Sequence, residues 1–262
     1  MLMYRLKELA LLPRMALPTG YLLVDKPAGI TSFDVVKEIR RVFKTETVGH
    51  IGTLDPFATG LMLILVNRQA TKLATDLVHL TKTYHAEITF GFETDTLDIT
   101  GKKVKHNSSE ELNQFCQIDI KTMLNSFIGD YIQVTPMYSS VKYKGEHLYE
   151  IARNNKTAPL VQPRRIVTIY SIDLLNLINN LPTFPQITIS THVSSGTYIR
   201  VLATDIAQRM HLFATVTKLQ RTQLGEFSIR EAKKLSKIDK NDIIPITNLT
   251  DLIKRLQNGI IV

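Results

Sequence analysis

The hydrophobic patterning of this chain predicts an α+β fold, with a central mixed and mainly antiparallel sheet flanked by helices and loops. Three observations carry that expectation. Tyr84 to Phe90 alternates with period two, setting Tyr84, Ala86, Ile88 and Phe90 on one face and His85, Glu87 and Thr89 on the other. Val35, Val36, Ile39, Val42 and Phe43 recur at helical spacing. Strand-like and helix-like segments then intermix without the regular βαβ rhythm of a parallel sheet.

Taken in order, residues 1–19 read as an extension. Their apolar stretch is interrupted by Arg5, Lys7, Pro13 and Arg14, and is too short for a secretory signal. Tyr21 to Asp25 reads as a strand that ends in the turn chemistry of Lys26-Pro27-Ala28-Gly29. Thr31 and Ser32 then offer an N-cap to the first amphipathic helix. The stretch from Val48 to Val66 follows. Gly49, Gly52 and Gly60 bracket His50 and Asp55 in what reads as a polar loop, and Leu61 to Val66 is wholly apolar. That run has the length of a fully buried strand, a pattern that a buried helical segment shares. Asp55-Pro56 taken alone is an ordinary helix or turn start, and His50 a hydrogen-bonding loop residue.

The spacing predicts a helix over 70–80. Gly91 closes the alternating strand, and Glu93 to Asp98 reads as an acidic, turn-rich loop. A helical region from Ser108 or Ser109 reaches about Phe127, with a break near Ile118 to Ile120. Asp130 to Val134, Val141 to Lys144, Arg165 to Tyr170 and Gln186 to Val193 read as extended, with a helix over Glu146 to Arg153 between them. Gly196 opens a helix that places Ile199, Leu202, Ala203, Ile206 and Met210 on one face. Extended segments at Phe213 to Lys218 and Glu226 to Ile229 precede a closing helix around Leu249, Leu252, Ile253 and Leu256.

Composition narrows the function. A chain of 262 residues with 44% hydrophobic and 21% charged residues can bury a sizeable core as one or two domains, and global disorder does not fit it. No apolar run approaches the roughly 18 residues of a membrane-spanning helix. The net charge of +8 points to a polyanionic partner. Met137 to Tyr170 holds six Lys or Arg against two acids, and Lys218 to Lys240 seven against three. Those two windows account for the whole excess and are expected to form solvated faces. The closing helix carries few charges, so a membrane surface ranks below nucleic acid.

The single Cys116 rules out an internal disulfide and a cysteine-based zinc site, and reads as a small buried hydrophobe. The seven histidines lack ligand spacing, there is no phosphate-cradling glycine loop, and Asp95 and Asp98 suit turn or capping roles better than calcium. No metal and no cofactor are expected, and a cytoplasmic location fits.

Six ordered motifs identify a resemblance. Gly49-His-Ile-Gly-Thr-Leu-Asp-Pro-Phe-Ala-Thr-Gly60 closely resembles the catalytic motif of the TruB family of pseudouridine synthases. Val24 to Ser32, Lys82-Thr-Tyr84 with Gly91 to Asp98, Gln133 to Lys142 with Leu148 to Arg153, Ser195 to Arg200 with Asp205-Ile206, and Leu219 to Gly225 resemble further family blocks, in the family's order. The resemblance implies a pseudouridine synthase fold over 20–235. It leaves 236–262 as a short tail in place of the RNA-binding C-terminal domain that many relatives carry.

By that resemblance the activity is isomerisation of the uridine at position 55 of tRNA, in the T loop. The expected partner is the T stem-loop of tRNA rather than DNA or a membrane, with the protein a monomer and no cofactor required. Asp55 matches the essential aspartate, Tyr84 the tyrosine that stacks on the flipped base and serves proton transfer, and Arg200 the arginine that pairs with the carboxylate. Tyr198 and Leu219 match pocket-lining positions, and His50 a histidine that contacts the RNA where the uridine is extruded. Three positions depart from the family pattern: Ile51 for Thr, Thr135 for Pro and Ala207 for Gly. A non-catalytic tRNA-binding or folding protein, or a synthase for another stem-loop RNA, are the alternatives.

Overall fold

The computed structural model describes residues 19–113, 115, 119–154, 162–179 and 184–258. The extension before Thr19 and Cys116 lie outside them. Strand β1 (Gly20–Lys26) leads into helix α1 (Ser32–Phe43), which Thr31 and Asp34 cap reciprocally, each side chain accepting from the other's main-chain N–H. Strands β2 (Val48–Ile51) and β3 (Thr59–Val66) follow, then single helical turns α2 (Arg68–Thr71) and α3 (Ala74–Leu77). Next come β4 (Lys82–Phe90), the pair β5 (Phe92–Thr94) and β6 (Lys103–His106), α4 (Ser109–Asn113), α5 (Ile120–Asn125) and β7 (Gly129–Val134). A small hairpin of β8 (Lys142–Tyr143) and β9 (Glu146–His147) precedes α6 (Leu148–Arg153). The chain continues through β10 (Arg164–Ile178), β11 (Gln186–Val193), α7 (Ile199–Arg209) and β12 (Ala214–Leu224). It finishes with the short strands β13 (Phe227–Ser228), β14 (Lys233–Lys234) and β15 (Ile244–Pro245), and helix α8 (Thr247–Gln257).

Among the described residues eleven strands form one sheet, whose main path runs β14-β1-β3-β12-β4-β11-β10-β7. Only β1–β14 and β3–β12 pair in parallel, so the sheet is mixed and mainly antiparallel as expected. β3 is buried on both faces, which is why its sequence is continuously apolar. Its Met62, Ile64 and Val66 join one core with α1, α5 and α7, while Leu61, Leu63 and Leu65 join a second with α2, α3 and α8. Residues beyond 235 are therefore built onto this sheet: β15 pairs with β1, and Leu249, Leu252 and Ile253 enter the second core. No helix of the described residues is long and apolar enough to cross a membrane.

Several expectations change. The single helix over 70–80 is two separate turns, Arg68–Thr71 and Ala74–Leu77, joined through Lys72 and Leu73. Val48 to Ile51 is a strand rather than loop, paired with Ile64 and its neighbours on β3, and Glu93 to Asp98 begins as a strand paired with β6. Both segments are short and at most half apolar, so partner strands decide their conformation. β10 and β12 run well past the limits expected, each absorbing register shifts by bulges. Ile51 points into the second core, 2% exposed, so its departure from the family pattern is a packing change beneath the loop.

Candidate active site

The Asp55 loop is assembled from carbonyl acceptors and buried cations. Pro56 follows Asp55 in a tight turn closed by the Ala58 N–H donating to the Asp55 carbonyl at 3.1 Å, so the Asp-Pro pair starts a turn and no helix. Lys26, fully buried, donates through Nζ to Ala58 O at 2.6 Å and to Pro56 O at 3.3 Å. The Gly29 N–H also donates to Pro56 O, and Ser32 Oγ both donates to Leu54 O and accepts from its N–H. Arg221, also fully buried, donates from Nε to Leu61 O at 2.7 Å and from Nη2 to Gly52 O at 2.9 Å. Sequence reading counted Arg221 as surface charge. In the fold it is an internal brace, because parallel pairing of β12 with Thr59 and Gly60 turns its side chain under the loop.

Gly60 is the fixed point of that contact. It has φ of +106°, and a Cβ there would lie 2.4 Å from the Arg221 carbonyl oxygen, main chain that strand pairing holds in place. Gly60→Ala is expected to destabilise the protein by more than about 2 kcal/mol, measurable by urea denaturation. An unchanged midpoint would contradict this packing.

Arg200 is the hub. It is 3% exposed on the first turn of α7 and donates from Nε to Asp55 Oδ2 at 2.8 Å and from Nη2 to Asp55 Oδ1 at 3.3 Å. The same guanidinium donates to Thr96 O and, at 2.9 Å, to Tyr138 O. One planar side chain thus ties two loop carbonyls to the carboxylate of a third loop, the fork geometry for which arginine is suited. Asp98 stands behind, its Oδ2 3.8 Å from Arg200 Nε, while its Oδ1 accepts from Thr96 Oγ1 and from the Thr100 N–H and hydroxyl. That is the turn role expected of it, with a second carboxylate for Arg200 added.

The N-terminus of α7 is positioned by Gln133, a buried β7 residue whose amide accepts from the Tyr198 N–H at 2.8 Å and donates to the Tyr198 carbonyl at 2.9 Å. From the sequence Gln133 belongs to the fourth family-like block and carries no expected role.

Asp55, Tyr84, Tyr198, Arg200 and Leu219 line one small cavity of about 40 Å³, closed by Leu54, Thr197 and Ile199. Five of the six residues named from sequence therefore meet in space, with Tyr84 brought from β4 and Leu219 from β12. His50 stands outside that cavity. Its Nε2 lies 3.1 Å from Thr53 Oγ1, and burial, then the Arg221 charge, push its imidazole below the ordinary value. Thr53 lines a neighbouring cleft of about 360 Å³, which shares Tyr84, Thr197 and Tyr198 with the Asp55 cavity. On the other side Leu219 borders a cleft of about 690 Å³ that includes Phe57, His85, Glu87 and Lys218. Among the described residues no group of three or more His, Cys, Asp or Glu could hold a metal ion.

Two buried lysines carry a pH signature. Burial pulls the Lys26 ammonium down to about 8 against the Asp55 charge, and burial with Arg221 nearby pulls Lys82 down to about 7. Between about 7 and the ordinary 10.5 the unfolded chain holds a proton that native Lys82 has released, so stability contributed at this site rises with pH. Below that window the native state carries the full cost of a buried ammonium. Relative to Lys82→Met, the wild-type melting temperature is expected to gain between pH 6 and pH 9. A constant difference would refute the assignment.

The family model described as TruB family pseudouridylate synthase (N terminal domain) matches residues 40–199, most of the chain, a span that includes His50, Asp55, Tyr84 and Tyr198. The chain belongs to this family. Among its relatives, the tRNA pseudouridine synthase B of Caldicellulosiruptor saccharolyticus is 43% identical over 249 residues, 92% of this chain and 82% of the relative. That of Fusobacterium nucleatum is 44% identical over 210 residues, covering 80% and 69%. Among solved structures, a chain of a Cbf5-Nop10-Gar1 complex superposes with a TM-score of 0.56 at 23% identity, over 93% of this chain and 57% of the other. The synthase thus spans little more than half of that solved chain, and the likeness shows the fold alone. This protein is a pseudouridine synthase, an isomerase, with a pseudouridine synthase fold.

Proposed function

We propose that the synthase converts the uridine at position 55 of tRNA, in the T loop, to pseudouridine, with Asp55 as the essential group. The observation that carries this reading is the carboxylate of Asp55, held bidentately by buried Arg200 at the wall of a pocket lined by Tyr84 and Tyr198. The substrate class follows from the relatives, which are named tRNA pseudouridine synthase B. The target base leaves its stack and enters beside Tyr84, where stacking offsets part of the unstacking cost. Asp55 acts at the nucleoside, the N1–C1′ bond breaks, the uracil rotates, and a C5–C1′ bond forms. The proton lost from C5 and the one gained at N1 balance, and Tyr84 serves that transfer. Arg200 holds the carboxylate in one orientation throughout, so little reorganisation remains for the reaction step. No cofactor enters the scheme, and the T stem-loop docks on a monomer.

Pseudouridine mapping of tRNA from a strain lacking this chain tests the reading. The expected result is an unmodified T-loop uridine, restored by expression of the wild-type chain. Full modification without it, or restoration at a different RNA stem-loop only, would overturn the substrate assignment.

A further inference from the structure

Among the described residues the 360 Å³ cleft beside the Asp55 pocket is lined by cations and no carboxylate, whereas the cleft on the other side contains Glu87 paired with Lys218 at 3.0 Å. Two of its cations are buried. Arg221 uses Nε and Nη2 on loop carbonyls, but its buried Nη1 has no hydrogen-bond partner among the described residues. Lys82 is 5% exposed and spends its ammonium on Leu80 O and, at 3.0 Å, Val78 O, leaving one N–H unused. Both converge beneath Gly52, where a Cβ would lie 3.0 Å from Arg221 Nη1 and 3.6 Å from Lys82 Cε. At the mouth, Arg165 lies 5.5 Å over the Tyr198 ring and donates to Gly196 O at 3.2 Å.

Buried positive charge without a compensating acid is costly, and the depressed Lys82 ammonium reflects that cost. An anion in the cleft would relieve it. Tyr84, Thr197 and Tyr198 are common to this cleft and the Asp55 cavity, so such an anion would sit next to whatever the cavity holds.

We propose that this cleft is an anion subsite for the RNA backbone phosphate adjoining the target nucleotide, with Lys82 and Arg165 as its ligands and Arg221 as a charged wall. The inference rests on the RNA-modifying reading above. It gives that reading a direction: the strand leaves the Asp55 cavity past Tyr198 and over Gly52, rather than toward Glu87. Lys82 and Arg165 lie near the chemistry as binding residues, and neither is assigned a catalytic step.

The test uses T stem-loop RNAs carrying a single methylphosphonate at each phosphate flanking the target uridine, bound to the full chain with Asp55→Asn so that no turnover intervenes. One position is expected to weaken binding roughly ten- to a hundredfold, the size of a lost charge-assisted contact. Adding Lys82→Met, or separately Arg165→Met, should remove most of that position's penalty, while Lys82→Arg retains it. Arg165 is only half-buried, so its variant keeps the test open if Lys82→Met fails to fold. Arg165→Met should also lower the slope of log affinity against log salt by about one. Equal penalties in wild-type and variant chains, or no sensitive position, would overturn the proposal. Failure of the activity reading looks different: the wild-type chain would bind the unmodified loop and leave its uridine unconverted.

Discussion

Asp55→Asn is expected to lower pseudouridine formation by roughly four orders of magnitude or more, the scale on which loss of a reacting group is felt. Asparagine preserves the side chain's size, and its oxygen can still accept from Arg200 Nε, so the loop keeps its shape. What disappears is the charge and nucleophilicity of the carboxylate. RNA affinity should stay within about threefold of wild type or tighten, because a negative group is removed from the path of a polyanion. Single-turnover conversion and equilibrium binding of the same stem-loop, measured side by side, check both halves. A variant that retains activity would end the assignment of Asp55. One that loses binding in proportion would reassign it to docking.

Arg200→Lys is the second large effect. The substitution keeps the charge, yet one ammonium cannot reach Asp55, Thr96 O and Tyr138 O from the position of a planar fork that spans all three. Activity is expected to fall on the order of a hundredfold, the cost of misplacing a reacting group by about an ångström. Two part-buried carbonyls also lose their donor, at about 1 kcal/mol of stability. The two losses separate experimentally. Turnover measured well below the melting temperature reports the misaimed carboxylate, and denaturant midpoints report the carbonyls. An active Lys variant with unchanged stability would show that the three-loop junction is dispensable. Gln133 enters the same argument at the same end of α7, since it fixes the main chain of Tyr198 two residues before Arg200.

What can be read from the chain alone is what side-chain periodicity and short-range chemistry encode. The alternation of Tyr84 to Phe90, the apolar run of β3 and the N-cap at Thr31 depend on residues a few positions apart, and each forms where it is expected. Asp55, Tyr84 and Arg200 were legible by another route, the order of family motifs. From the residues alone, Asp55-Pro56 was an ordinary element start, and it is indeed a turn.

Tertiary structure decided what those residues do for one another. The Asp55–Arg200 pair spans 145 positions, Arg221 reaches Gly52 across 169, and Gln133 reaches Tyr198 across 65. No local pattern distinguishes an arginine that will lie under a loop from one that will face water, because a guanidinium is tolerated inside only when carbonyls from elsewhere meet it. For the same reason Lys26 and Arg221, both charges in the sequence, become internal braces once β1, β3 and β12 pair and place the carbonyls of the Asp55 loop within hydrogen-bond reach.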